Sequence, residues 1–197
     1  VEVDPWGYDA DVVELVAPLW RLRWDTSLDG ADLVPRRGAL VVHGQGVDPA
    51  TPLVLASASA RHLGRPLRPI GVPDVSPLGP ALARLGAVPR TAADVRALLR
   101  AGALVSVPLG RDWRGRPAGA ADVEVVAAAH DVGAPLVPVV VGGRPFGRRR
   151  PVVVGAPLGT SRRRRAGAAD HLAAEIAERV VALGALVGGG DAPPVAS

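Results

Sequence analysis

Apolar residues recur at helical spacing from Asp9 to Leu22, with Val12, Val13, Leu15, Val16 and Leu19 on the repeating positions. Asp9 or Asp11 can cap this helix, and Pro18 is expected to kink or end it. The run from Gly38 to Val42, GALVV, is apolar and β-branched and predicts a buried strand. It stops at His43, and Gly44-Gln45-Gly46 follows as a turn. Beyond it the pattern predicts a helix over Pro49 to Leu63, a strand over Leu67 to Val72 and a helix over Ser76 to Leu85, then a brief strand at Ala87 and Val88. Thr91 and Asp94 have the spacing of a capping box, so the helix over Thr91 to Ala101 is sharply delimited, with Gly102 as its stop. Strands over Ala103 to Val107, Leu136 to Val141 and Val152 to Gly155 alternate with helices over Ala121 to Asp131 and Asp170 to Leu186.

Strands that are apolar throughout and alternate with helices predict an α/β fold. Its central sheet is mostly parallel or mixed and is covered by helices on both faces. A length of 197 residues fits a single domain over 1–187, with residues 1–35 as an N-terminal helical arm and 188–197 as a disordered tail. No internal repeat is present. No G-x-G-x-x-G opens a helix after the first strand and no Walker sequence occurs, so dinucleotide and P-loop readings have no support.

Composition narrows the chemistry. Cysteine is absent, which excludes a thiol nucleophile, a disulfide scaffold and a cysteine-ligated metal. Four scattered histidines do not make a histidine metal cage, so neither a metal nor a bound cofactor is expected. All 23 basic residues are arginine, and with 19 acids the formal charge is +4. Residues 1–35 hold eight acids and two arginines, whereas the remainder holds 21 arginines and 11 acids. Two arginine clusters stand out, Arg144 with Arg148 to Arg150, and Arg162 to Arg165. Both lie in turn-rich sequence and read as exposed, either merely solvated or facing an anionic surface. Aromatic residues make up 3% of the chain and do not interleave with these clusters, so no nucleic-acid partner is expected. The acidic start is unlike a signal peptide, and no stretch of 18 uncharged apolar residues occurs; the chain reads as cytoplasmic, with peripheral membrane contact open to it.

His43 is the residue the pattern singles out, because the junction of a buried strand with a turn is a common address for functional groups in α/β folds. Asp48 follows five residues later, a His-x-x-x-x-Asp spacing. A reversing turn could bring the carboxylate to one imidazole nitrogen and leave the other as a base toward a hydroxyl. On spacing alone, an incidental histidine is as good a reading. His62, His130 and His171 have no aspartate at that spacing and read as surface or core residues.

The order of further segments adds weight. V-D-P-W-G-Y-D at Val3 to Asp9, L-D-G-A-D-L-V-P at Leu28 to Pro35, His43 with Asp48, L-G-A-V-P-R at Leu85 to Arg90, LLRAGALVSVPLG at Leu98 to Gly110, and A-P-L-V-P-V-V-V-G at Ala134 to Gly142 follow one another. In that order they resemble the glycerolipid (lysophospholipid) acyltransferase family, which includes 1-acylglycerol-3-phosphate acyltransferases. The resemblance implies a glycerolipid acyltransferase-like fold and transfer of an acyl group to the hydroxyl of a lysophospholipid or related glycerolipid. The donor would be an acyl thioester, either acyl-CoA or acyl carrier protein, as co-substrate. It implies His43 as general base and Asp48 as the residue that orients it and stabilises the imidazolium. It also implies Arg90 as a contact for the acceptor's phosphate and keeps Gly110 of the third block; Arg111 and Arg114 lie beside that block, in a shifted register, as further candidate phosphate contacts.

Two positions depart from the family pattern. The glutamate of its third block is Leu109 here, and the asparagine before its histidine is Val42. These departures keep a second reading in view, a non-catalytic relative that binds a lipid or a protein partner, unless Asp112 or Glu124 supplies the missing carboxylate. A third reading is an arginine-rich module for anionic surfaces or nucleic acid. Trp6, Trp20 and Trp24 lie near the N-terminal helix and suit either a lipid interface or the core.

Overall fold

The computed structural model describes residues 3–44, 48–71, 78–89, 91–109, 120–159 and 168–188. Helix α1 (Ala10–Arg23) is started by Asp9, whose carboxylate accepts from the N–H groups of Asp11 and Val12. Pro18 lies inside α1 and does not end it. It sits on the exposed side, where the carbonyl one turn back that loses its partner is open to water. Strand β1 (Asp25–Asp29) and a 3-10 turn (Ala31–Leu33) lead to β2 (Ala39–Gly44) and helix α2 (Thr51–Leu63). Strand β3 (Leu67–Pro69), helices α3 (Leu78–Arg84) and α4 (Ala92–Arg100), strand β4 (Leu104–Leu109), helix α5 (Ala120–Val132), strands β5 (Leu136–Val141) and β6 (Arg149–Val154), and helix α6 (Ala168–Gly188) complete the order. The expected tail lies outside the described residues except for its first position, Gly188, which ends α6.

The six strands form one sheet in the order β1-β6-β5-β2-β4-β3. All neighbours pair parallel except β5 with β6, so the sheet is mixed. The expected fold class is therefore the observed one. Strand β2 is central, flanked by β4 and β5, and buried along its length. Alternation along it divides the core. Leu40 and Val42 join the apolar cluster under α4, α5 and α6, whereas Ala39 and Val41 join the cluster under α2. His43 shares the parity of Ala39 and Val41 and belongs to the α2 face.

Local chemistry explains why these elements hold their places. Thr91 caps α4 by accepting from the Asp94 N–H at 3.1 Å, and its hydroxyl donates to the Asp94 carboxylate. Gly38 must be glycine, because a Cβ there would lie 2.2 Å from the Leu99 carbonyl oxygen at the end of α4. The Arg65 guanidinium ties three loops together through the carbonyls of Pro35, Arg37 and Gly102. On β3, Arg68 is buried in an ion pair with Asp4 and lies 4.3 Å from the centre of the Tyr8 ring, which fastens the N-terminal turn to the sheet.

The three tryptophans near the N-terminal helix pack on the core. Trp24 is buried, and Trp20 packs against the α2-face cluster. Trp6 packs against the opposite cluster. The apolar surface of α1 is instead leucine: Leu15, Leu19 and Leu22 recur on one stripe and are 64–77% exposed. Among the described residues, no helix is long and apolar enough to cross a membrane.

Candidate active site

His43 occupies the C-terminal end of β2, opposite Pro108 of β4 and Val139 of β5. In an open parallel sheet this edge is where loops can surround a ligand. The imidazole is buried, and its Nδ1 lies 3.2 Å from the Gly44 carbonyl oxygen. A carbonyl only accepts, so Nδ1 carries the hydrogen and Nε2 is the basic nitrogen. Burial pushes the imidazole from its usual 6.5 down to about 4, with the Gly44 contact opposing the change. At neutral pH it is an uncharged base.

Asp48 lies just before α2, where the positive end of the helix dipole favours a carboxylate. Its Oδ1 accepts from the Ala50 N–H at 2.9 Å, an Asx turn that sets the start of the helix. Its Oδ2 accepts from Nη1 of Arg150 in a buried ion pair. Burial alone would raise its pKa. The hydrogen bond from Arg150, the N–H of Ala50, the charge of Arg150 and the N–H of Phe146 together hold it below the ordinary value. Among the described residues no hydrogen bond joins Asp48 to His43. The spacing brings the two residues to one end of the sheet, but the carboxylate is engaged by Arg150, and the imidazole's hydrogen by Gly44.

Arg150 is the member of this constellation that the sequence reading missed. The expectation that Arg148 to Arg150 are all exposed is corrected by its 2% exposure. The signal was present in strand parity, since Arg150, Val152 and Val154 alternate with outward residues and share an inward face. Its Nε donates to the Gly142 carbonyl at 3.1 Å. Phe146, in the connection between β5 and β6, adopts φ +61° without being glycine. Its carbonyl accepts from Arg23 at 2.7 Å, while its N–H serves Asp48.

Arg90, Gly110 and Arg111 lie outside the described residues, as do Asp112, Arg114 and Arg162 to Arg165. Glu124 is exposed on α5, which packs on the face of the sheet opposite His43, so it does not supply a carboxylate to the imidazole. Leu109 and Val42 are core residues of that same opposite face. Among the described residues, no cluster of three or more histidine or acidic side chains could hold a metal ion.

No protein-family model matches this chain, and no curated protein sequence matches it. The fold does have a counterpart. The chain is similar in structure to the 1-acyl-sn-glycerophosphate (LPA) acyltransferase PlsC from Thermotoga maritima. The TM-score is 0.61 at 16% identity, over 93% of this chain and 80% of that one. An acyltransferase thus shares the mixed six-stranded sheet and its helical layers across almost the whole chain.

Proposed function

We propose that this chain is an acyltransferase that moves an acyl group from an acyl thioester to the hydroxyl of a lysophospholipid or related glycerolipid. The observation that carries the reading is a buried, neutral imidazole at the C-terminal end of the central strand, in a fold shared with an acylglycerophosphate acyltransferase. Nε2 of His43 takes the proton of the acceptor hydroxyl as its oxygen attacks the thioester carbonyl. The carbon–sulfur bond then breaks, and the thiolate leaves with the proton that the imidazolium returns. Asp48, at the same end of the sheet, sets the start of α2, with its charge paired to Arg150. The acyl carrier is a co-substrate, and neither a metal nor a resident cofactor enters the scheme. Arg90, with Gly110 and Arg111, is the proposed contact set for an anionic headgroup.

The proposed seat of the protein is the surface of an anionic membrane on the cytoplasmic side. The exposed leucine stripe of α1 faces away from the core, with Arg21 and Arg23 at its end and Arg148 nearby. Replacing Leu15, Leu19 and Leu22 with serine is expected to abolish co-flotation with phosphatidylglycerol vesicles. Unchanged flotation would exclude this face as the seat.

The deciding assay is thioester release from acyl-CoA, and from acyl-acyl carrier protein, with lysophosphatidic acid as acceptor. His43→Ala is expected to lower turnover by about 10²–10⁴-fold with an unchanged circular dichroism spectrum. Wild-type turnover in that variant would refute the assignment. The core position of Leu109, where the resemblance expects an acceptor-site glutamate, favours a second reading as a lipid-binding relative without turnover. Binding of lysophospholipid with no thioester release from either donor would support that alternative.

A further inference from the structure

The connection between β5 and β6 is built as a narrow finger. The Gly142 N–H donates to the Pro151 carbonyl at 2.8 Å, and a Cβ at Gly143 would run into the Arg149 carbonyl, so the two arms lie close together. The tip is the turn Arg144-Pro145-Phe146-Gly147, closed by the Gly147 N–H on the Arg144 carbonyl at 2.8 Å. Proline presets the second position of such a turn, and the third position takes a positive φ, where glycine is the ordinary choice. This chain places its single phenylalanine there, at φ +61°. A bulky residue in the left-handed region is an outlier that costs energy. Core filling does not account for it, because Phe146 is 65% exposed. Arg144, Arg148 and Arg149 around the turn are exposed as well, and among the described residues none of their guanidiniums forms an ion pair. Asp25 stands beside Arg149 in the β1–β6 ladder, so three cations against one acid leave the tip positive. The finger is braced twice: Arg23 at the end of α1 donates to the Phe146 carbonyl at 2.7 Å, and Arg150 donates to the Gly142 carbonyl at 3.1 Å.

An apolar ring held out into water by a strained turn, with unpaired cations around it, matches the boundary of an anionic bilayer. The ring can enter the acyl layer while the guanidiniums stay with the phosphates. We propose that the β5–β6 finger is a membrane-insertion element: Phe146 enters an anionic bilayer, and Arg144, Arg148 and Arg149 hold its lipid phosphates. The inference deepens the proposed membrane seat and rests on it, adding to the leucine stripe of α1 a second contact that Arg23 ties to the end of that helix. Strand β5 runs from beside His43 into the finger, so insertion turns the His43 edge of the sheet toward the lipid. A lipid acceptor thus reaches that edge from the bilayer itself.

The chain has no cysteine, so Phe146→Cys carries a single environment-sensitive dye. With phosphatidylglycerol vesicles its emission is expected to shift to the blue and to be quenched by nitroxides on the acyl chains, and with phosphatidylcholine vesicles to stay aqueous. The same dye on Ala101→Cys, exposed at the opposite edge of the sheet, should stay aqueous with both. In unlabelled protein, Phe146→Gly is expected to lower affinity for phosphatidylglycerol vesicles about tenfold. It should keep or raise the Tm, because glycine relieves the left-handed turn. Phe146→Trp should retain the affinity, and Arg144→Gln, Arg148→Gln and Arg149→Gln should each lower it about fivefold. Wild-type affinity in Phe146→Gly would overturn the proposal, as would a dye that stays aqueous on the vesicle-bound chain. A blue shift without vesicles that grows with protein concentration would assign the tip to a second copy of the chain and overturn it too. A chain that binds no vesicle would overturn both the seat and the finger. An inserted dye, with flotation unchanged after serine replaces the α1 leucines, would remove the stripe and keep the finger. Flotation lost in that leucine variant, with an aqueous dye, would keep the stripe and remove the finger. Neither readout depends on thioester release, so loss of the acyltransferase reading would leave this result standing.

Discussion

Acidification from neutral pH to pH 4 should expose the cost of burying His43. In the unfolded chain an imidazole titrates near 6.5, whereas in the fold burial pushes this one down to about 4. Above 6.5 both states are neutral, and the buried ring contributes its full share of stability. As the pH falls below 6.5, the unfolded chain binds a proton that the native state does not, so stability declines. The decline ends near pH 4, where the native imidazole also becomes protonated. One proton per molecule is worth about 1.4 kcal/mol for each pH unit, so the window from 6.5 to about 4 carries about 3 kcal/mol. That is a large part of the roughly 5–15 kcal/mol that holds a typical domain together. Asp48 acts in a lower window: its folded pKa lies below the ordinary 3.8, so its contribution is present above 3.8 and is lost at still lower pH. The assay is urea unfolding at closely spaced pH values from 8 to 4, wild type beside His43→Gln. The remaining three of the four histidines are common to both proteins and cancel in the difference. The wild type should lose about 3 kcal/mol more than the variant across the window. Parallel curves would refute the reasoning, because they would mean that the folded site accepts a charged imidazole as readily as water does.

Other expectations concern the frame that carries the site. Gly38→Ala drives a Cβ against the Leu99 carbonyl oxygen, 2.2 Å away. It should cost at least the roughly 1–3 kcal/mol of an overpacked interior, read as a lower Tm by about 3 °C per kcal/mol at this length; an unchanged Tm would show that the end of α4 yields freely. Thr91→Ala removes the cap of α4 and should cost about 1 kcal/mol in urea unfolding, leaving thioester release at the wild-type rate.

Much of the fold was legible because local signals agreed with the tertiary outcome. The apolar run at Leu136 to Val141 is β5 to the residue, and the Thr91–Asp94 box delimits α4 where the spacing places it. The α1 cap at Asp9 was legible as well, but the persistence of that helix through Pro18 was not. Its exposed position decides that outcome, and exposure is a tertiary property. Strand β1 escaped notice because DTSLD offers no apolar alternation. It exists through parallel pairing with β6, a partner more than a hundred residues away.

The candidate site divides in the same way. His43 was legible from the end of an apolar run, and Asp48 from its spacing. What spacing could not convey is which group the carboxylate meets, because Arg150 enters from the far end of the chain. A run of three arginines invites one shared description, a solvated turn. Strand parity separates them, for Arg149 stands outward and Arg150 falls in line with Val152 and Val154. An arginine on the inward phase of an apolar strand must find an anion or a carbonyl, since burying it without a partner is prohibitive. Here it finds both, the Gly142 carbonyl and Asp48. The parity of β6 and the acid after β2 together imply the pair from the sequence alone, once the arginine is taken as part of the strand rather than of the cluster.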